Sequence, residues 1–261
     1  MTKTTNQWLG EAIAALGTTE FEPALYAWLG QVCDIDNVTM LAYFEDRGPK
    51  VFFSHANEPR VFERLNSDYV RGIYLLDPIY ALHTKRAEEG FYRLRDVAPD
   101  QFRRNEYFAT YYRRTTLTDE VDFLAHPAPG VSVTICVGRD ASSARQFSAR
   151  DLSRLREVSP IVIPLASRHW SRLRSEAGQD DRAIVQALRD RLKEERGIPL
   201  SPRQGEIAFL ILRGHSSASI GLLLGISPQT VKVIRKQLYR KCAITSQAEL
   251  FSLLTPYLLG L

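Results

Sequence analysis

The chain has 261 residues, of which 44% are hydrophobic and 25% charged, a length that favours two domains and a composition that argues against long disorder. No run approaches 18 apolar residues, and the opening MTKTTNQWLG lacks the apolar core of a signal peptide, so neither a membrane span nor export is expected and the cytoplasm is the predicted location. The net charge of +4 is unevenly placed: residues 200–261 hold seven basic and two acidic side chains, against 27 basic and 28 acidic before them.

In chain order, the first 33 residues read as helical. Phe21, Leu25, Trp28 and Leu29 recur at spacings of three and four and mark an apolar face. Asn37 to Tyr43 and Lys50 to Ser54 read as strands joined by the charged turn Glu45–Gly48. A helix is predicted over Arg60 to Asp68, and another after Asp77-Pro78, where proline suits a first turn. Gly90 to Leu94 reads as a short strand and Pro99 to Arg113 as an aromatic-rich helix. Glu120–Leu124 and Val131–Gly138 read as two strands separated by the breakers His126 to Gly130. The aromatic-rich segment has two readings, ordinary core packing, with Phe108 and Tyr112 facing the sheet, or a pocket or partner surface at Tyr107 and Tyr111.

Ser148 and Asp151 have capping-box spacing and open a helix that Pro160 and Pro164 should interrupt or kink. Gly178-Gln179-Asp180-Asp181 is the expected domain boundary. Beyond it, Ile184, Leu188 and Leu192 form a stripe with two readings, packing within its own domain or a dimer contact. Cys33, Cys136 and Cys242 share no metal-ligand spacing and read as buried thiols. His55, His83, His126 and His169 show no such spacing either. No nucleophile–base–acid set or phosphate loop is visible, so no enzyme activity, cofactor or metal is expected.

The signals become dense after Leu200. Ser201-Pro202-Arg203-Gln204 combines a cap, a first-turn proline and a reciprocal capping residue. Ile207, Leu210 and Ile211 follow at helical spacing, and Gly214 supplies a stop. Ser216 caps a second helix with Ile220, Leu223 and Leu224 on its apolar side. Gly225 permits a tight turn, and Ser227-Pro228 opens a third helix with Val231, Ile234, Leu238 and Cys242 inward. Five basic residues (Lys232, Arg235, Lys236, Arg240 and Lys241) cover much of the remainder, as a polyanion partner would require. Ser246 and Glu249 cap a fourth helix carrying Leu250, Leu253 and Leu254.

The stretch LSPRQGEIAFLILRGHSSASIGLLLGISPQTVKVIRKQLYRKCAITSQAEL, Leu200 to Leu250, resembles the LuxR/NarL-type helix-turn-helix family. It has the initial L-[ST]-x-R-x-x-E, the mid-motif glycines, the I-S-x-x-T-V-K-V run and the closing [ST]-x-x-E-L. The resemblance implies a transcription regulator that places one helix in the major groove of duplex DNA. It puts Lys232, Val233 and Lys236 at base-facing positions. Gln229, Thr230, Arg235, Tyr239, Arg240 and Lys241 are then the expected phosphate contacts. A homodimer reading two half-sites and a contact with RNA polymerase are the further partners implied. Ile234 and Ala218 depart from the family pattern, which often has histidine at the first position and a polar residue at the second.

No phosphoacceptor arrangement precedes this motif. The layout over residues 20–175 is similar instead to the ligand-binding branch of the same family, an α/β/α sandwich related to GAF and PAS sensors. Its clearest match is Tyr69 to Pro78, followed by Phe91-Tyr92. In acyl-homoserine-lactone receptors an aspartate before proline accepts a hydrogen bond from the ligand amide, and Asp77 matches it. Tyr92 stands where tryptophan is usual, Arg64 stands near the place of another, and Tyr69 matches a ligand tyrosine only with a one-residue shift. The resemblance thus implies a small-molecule effector, with acyl-homoserine lactone one option and a different molecule the other. Tyr69, Tyr74, Asp77 and Tyr92 are its expected contacts, although Asp77 could equally cap the following helix. A protein partner for the N-terminal domain is the alternative.

The expected fold class is therefore α+β: an N-terminal α/β/α sensor sandwich (1–175), a connecting helix (176–199) and an all-α four-helix LuxR-type helix-turn-helix domain (200–261).

Overall fold

The computed structural model describes residues 3–175 and 181–259. The elements in chain order are α1 (Thr5–Ala14), α2 (Phe21–Val32), β1 (Asn37–Phe44), β2 (Lys50–Ala56), α3 (Pro78–Thr84), β3 (Gly90–Arg93), α4 (Leu94–Val97), α5 (Glu106–Thr110), β4 (Leu117–Ala128), β5 (Val131–Asp140), α6 (Ala149–His169), α7 (Asp181–Arg196), α8 (Pro202–Leu212), α9 (Ser217–Leu224), α10 (Pro228–Lys241) and α11 (Gln247–Leu258). The class is α+β, as expected. Most of the expected boundary motif, Gly178 to Asp180, lies outside the described residues. Two compact units interleave along the chain: residues 3–63, 85–97 and 115–175 form the first, and residues 64–84, 98–114 and 181–259 the second.

The first unit is built on an antiparallel sheet of order β2-β1-β5-β4-β3. Period-two alternation puts Val38, Met40, Ala42, Val121, Phe123, Val133 and Ile135 on one face, where they form a core with Phe21, Leu25, Trp28 and Leu29 of α2 and Leu155, Val162 and Ala166 of α6. The opposite positions are more polar: Thr39, Tyr43, Asp122, Ser132, Thr134 and Cys136. A buried ion pair, Arg93–Asp119 at 2.5 Å, ties β3 to β4.

Three local expectations are corrected. First, α6 runs unbroken through Pro160 and Pro164. Both prolines lie on the exposed face, and the Ser159 hydroxyl donates to the Arg156 carbonyl at 2.9 Å, the acceptor that the missing Pro160 N–H would have served. Second, β4 continues through Pro127, with its register shifting between Ala125 and Ala128; a bulge is where a strand tolerates a residue without a donor. Third, the helices expected at Arg60–Asp68 and Pro99–Arg113 are short pieces. In the former, the Val70 N–H reaches back five residues to the Leu65 carbonyl at 3.0 Å. In the latter, the Asn105 side chain takes the Phe108 N–H at 2.8 Å and restarts the helix as α5.

The second unit is helical. Ile184, Leu188 and Leu192 of α7 are buried, and α7 packs on α8 and α11, so the stripe serves its own unit. Arg191 and Arg196 of α7 donate to the carbonyl and hydroxyl oxygens of Tyr257 at 3.3 and 3.2 Å. The segments 64–84 and 98–114, read from sequence as part of the sensor, pack here too: the Gln101 N–H donates to the Gly214 carbonyl at 3.0 Å and Asn105 Nδ2 to the Leu212 carbonyl at 3.2 Å. The capping box of α8 forms as expected, with the Gln204 N–H on Ser201 Oγ at 3.2 Å and the Ser201 N–H on Gln204 Oε1 at 3.0 Å. Ser201→Ala should lower the stability of this unit by about 1 kcal/mol, measured by urea unfolding; an unchanged midpoint would refute that share for the cap.

Candidate nucleic-acid interface

Helices α9 and α10 are joined by Gly225-Ile226-Ser227, and the chain turns by 108° between them, within the range of helix-turn-helix units. Two glycines make that turn possible. Gly225 closes α9 with φ +65°, the left-handed conformation that favours glycine. A Cβ on Gly221 would stand 2.7 Å from the Ile226 carbonyl oxygen, so only glycine lets the turn fold back this closely. Ser227 then caps α10 through the Thr230 N–H at 3.0 Å.

Val231 and Leu238 anchor α10 inward, with Ile234 half-buried between them. This leaves Gln229, Thr230, Lys232, Val233, Lys236, Arg240 and Lys241 exposed, Val233 at 48%. A groove of about 550 Å³ runs along this surface, lined by Ser217, Lys232, Arg235, Lys236, Tyr239 and Arg240 among others. The Arg235 guanidinium lies 5.1 Å from the Tyr239 ring centroid. The Tyr239 hydroxyl is buried with no hydrogen-bond partner among the described residues. Lys241 reaches Gln204 Oε1 at 3.4 Å.

Two expectations around this surface change. Leu223, read as an inward residue of α9, is exposed, as is Leu222 at 87%; on so short a helix the inward stripe consists of Ile220 and Gly221. Arg213, counted in the basic excess, is 5% exposed. Its Nη1 and Nη2 grip Asp181 at 2.6 and 2.9 Å, its Nε donates to the Leu75 carbonyl at 2.9 Å, and it lies over the Phe209 ring at 4.3 Å.

Of the expected effector contacts, Tyr69, Tyr74 and Asp77 come together in the second unit, whereas Tyr92 lies on β3 in the first. The Tyr69 hydroxyl donates to Asp77 Oδ2 at 2.7 Å and the Ile79 N–H to Oδ1 at 2.8 Å. Asp77 thus caps α3 and binds a tyrosine at once. Burial raises its carboxyl to about 6, against the lowering effect of those two hydrogen bonds. Tyr74 packs edge-on to Tyr80 at 4.9 Å and Tyr69 stacks on Tyr111 at 6.1 Å. Tyr107 and Tyr111 are buried, while Phe108 and Tyr112 are half-buried, which favours ordinary packing over an exposed partner surface for this cluster. In the first unit, the Tyr92 hydroxyl donates to the Glu88 carbonyl at 2.6 Å.

The polar sheet face was missed from sequence. There Glu120, Asp122 and Cys136 bring their side-chain heteroatoms within 4.8 Å of one another. Burial, reinforced by the two carboxylates, raises the Cys136 thiol well above its usual range and keeps it protonated. Alternation of polar residues on β4 and β5 was the available signal.

The family model described as bacterial regulatory proteins, luxR family, matches residues 198–254. An HTH-type transcriptional regulator in the exeN 3′ region of Aeromonas salmonicida is 30% identical over 159 residues, 59% of this chain and 81% of that protein. The transcriptional regulatory protein MctR of Rhizobium johnstonii is 39% identical over 67 residues, 26% of this chain and 31% of MctR. Among solved structures, the LBD domain of VqsR from Pseudomonas aeruginosa matches 64% of this chain and 98% of its own length, at 26% identity and a TM-score of 0.53. The helix-turn-helix geometry and a relative matched over four-fifths of its length lead to one assignment: the chain belongs to the LuxR family of bacterial regulatory proteins.

Proposed function

We propose that this regulator binds duplex DNA sequence-specifically as a homodimer and that a small molecule held by its N-terminal domain sets its activity. The observation that carries the DNA-binding reading is the exposed basic face of α10, held beyond a 108° turn by an inward-facing apolar stripe. A helix so presented fits the major groove. Lys232 and Lys236 supply donors for guanine O6 or N7, and Val233 an apolar contact for a thymine methyl. Gln229, Thr230, Arg235, Arg240 and Lys241 hold the phosphates, whereas the Tyr239 hydroxyl, expected among them, is buried and turned away from that role. A single such domain has little contact area, which favours two copies on two half-sites and leaves a promoter-bound dimer to meet RNA polymerase.

The effector reading draws on the likeness to a domain described as an LBD and on the buried Tyr69–Asp77 pair. A buried carboxyl raised to about 6 is the kind of group that binding sites retain at a cost in stability. Tyr74 stands beside this pair; Tyr92, the fourth residue carried over from the family, lies on β3 in the first unit. Small molecules other than acyl-homoserine lactones are favoured, because Tyr92 and Arg64 stand at or near positions that are tryptophan in the lactone receptors. The burial of Tyr107 and Tyr111 gives no support to a docking surface for a protein partner.

The test begins by selecting the preferred duplex from random DNA. Lys232→Ala should lose about 1–3 kcal/mol of discrimination against mismatched sites, whereas Lys241→Ala should weaken all duplexes alike and flatten the salt dependence by about one phosphate contact. Equal losses on selected and scrambled duplexes for both variants would sink the division of roles. Native mass spectrometry of the complex should show two chains per duplex and any retained effector mass; a monomer on the selected duplex would overturn the dimer.

A further inference from the structure

Residues 98–114 place an acidic group at the N-terminus of α9, within the second unit. Asp100 Oδ1 accepts the Ser216 N–H at 3.0 Å. Ser216 is the cap residue of α9, and the next residue, Ser217, lines the same groove as Lys232, Arg235 and Lys236. The carboxylate therefore borders the basic surface assigned to DNA.

The contact is held from both sides. The Gln101 N–H donates to the Gly214 carbonyl and Asn105 Nδ2 to the Leu212 carbonyl. A Cβ on Gly214 would stand 3.0 Å from the Phe102 Cα, so the segment lies directly against the end of α8. Burial raises the Asp100 carboxyl, but the hydrogen bonds from Ser216 and the nearby His215 outweigh it and bring it below the usual value. The group is therefore an anion at neutral pH.

In a helix-turn-helix unit the first helix crosses the DNA backbone, and the free N–H groups at a helix N-terminus suit a phosphate oxygen. A carboxylate on the Ser216 N–H takes one of those donors and repels an approaching phosphate. The exposed Arg103 and Arg104 on the same segment could instead help to hold DNA, which gives the opposite sign for the segment as a whole.

We propose that Asp100 is an autoinhibitory residue: its carboxylate occupies the DNA-facing end of α9, and the regulator binds duplex DNA more tightly when that charge is withdrawn. The inference rests on the DNA-binding reading of α10. It gives residues 98–114 a role in control, since their displacement frees the Ser216 N–H for a phosphate.

The test uses the full chain and a short random-sequence duplex, because phosphate contacts do not depend on sequence. Binding is followed by fluorescence anisotropy over a series of KCl concentrations. Asp100→Asn should bind about 3–10-fold tighter, because its oxygen still accepts the Ser216 N–H but no longer repels a phosphate, and the gain should shrink as KCl rises. Asp100→Ser, a second neutral acceptor, should behave alike, and Asp100→Glu should stay near wild type. Asp100 is exposed, and thermal melting checks that each variant is folded. Lys241→Ala separates the two readings. If it weakens binding while Asp100→Asn leaves it equal or weaker, the autoinhibitory role falls and DNA binding stands. If neither wild type nor Asp100→Asn binds the duplex, both fall.

Discussion

Arg213→Ala should lower the stability of the second unit by about 3 kcal/mol, the largest loss expected from any substitution considered. Arg213 is buried and meets three needs with one planar group: a paired grip on Asp181, a bond to the Leu75 carbonyl and a ring to lie on at Phe209. Removing it strands a buried carbonyl and opens a gap over the ring. A fully buried pair would cost up to about 5 kcal/mol, but the Asp181 side chain is 41% exposed, and water recovers part of the loss. Arg213→Lys should restore only a minor share, because a point charge on a flexible stem cannot satisfy a carbonyl and a carboxylate in one plane. Urea unfolding measures the loss, and a double-mutant cycle with Asp181→Ala should give a coupling of about 1 kcal/mol or more. Full rescue by lysine, or an unchanged midpoint for alanine, would contradict this account.

The second large effect has the opposite sign. Asp77→Asn should stabilise the protein by about 2 kcal/mol at pH 7.5, raising its melting temperature by roughly 5 °C. The Asp77 carboxyl is raised to about 6 by burial, while in the unfolded chain it titrates near its ordinary value of about 3.9. The folded state therefore holds this proton more tightly. The group opposes folding increasingly as pH climbs from about 4 to about 6, and the full penalty applies above that window. Asparagine removes the charge yet keeps the geometry: its oxygen can accept the Ile79 N–H, and its amide can donate to the Tyr69 hydroxyl. The gain should shrink to roughly half at pH 5 and nearly vanish at pH 4. Melting curves at the three pH values test this, and a gain independent of pH, or none, would refute it. If Asp77 contacts an effector, the more stable variant should also retain less of it when purified.

The helix-turn-helix unit was legible because its signals are local. Ser201, Ser216, Ser227 and Ser246 each cap an amide three residues on, and Gly225 marks a turn by its own backbone conformation. The strands of the first unit were legible for a similar reason, since apolar alternation has a period of two wherever one face is buried. The failures were also physical. Proline reads as a breaker from sequence, but whether Pro160 and Pro164 break α6 depends on where they face and on what satisfies the freed carbonyls. Leu223 fits a helical stripe by spacing, but the inward direction of α9 is set by its neighbours.

By itself, then, the sequence determined the four C-terminal helices, their caps and turn, the basic face of α10 and the α+β class, all of which follow from spacings of two to four residues. Only the tertiary structure decided that Arg213 is an internal clamp, that Asp100 rests on α9, and that Asp77 binds Tyr69 while capping α3. Arg213 meets a carbonyl 138 residues away and an acid 32 away, and Ser216 meets an acid 116 away. No periodicity connects such pairs: they form because burial leaves polar groups that must find partners, and the packed chain decides which partners are within reach.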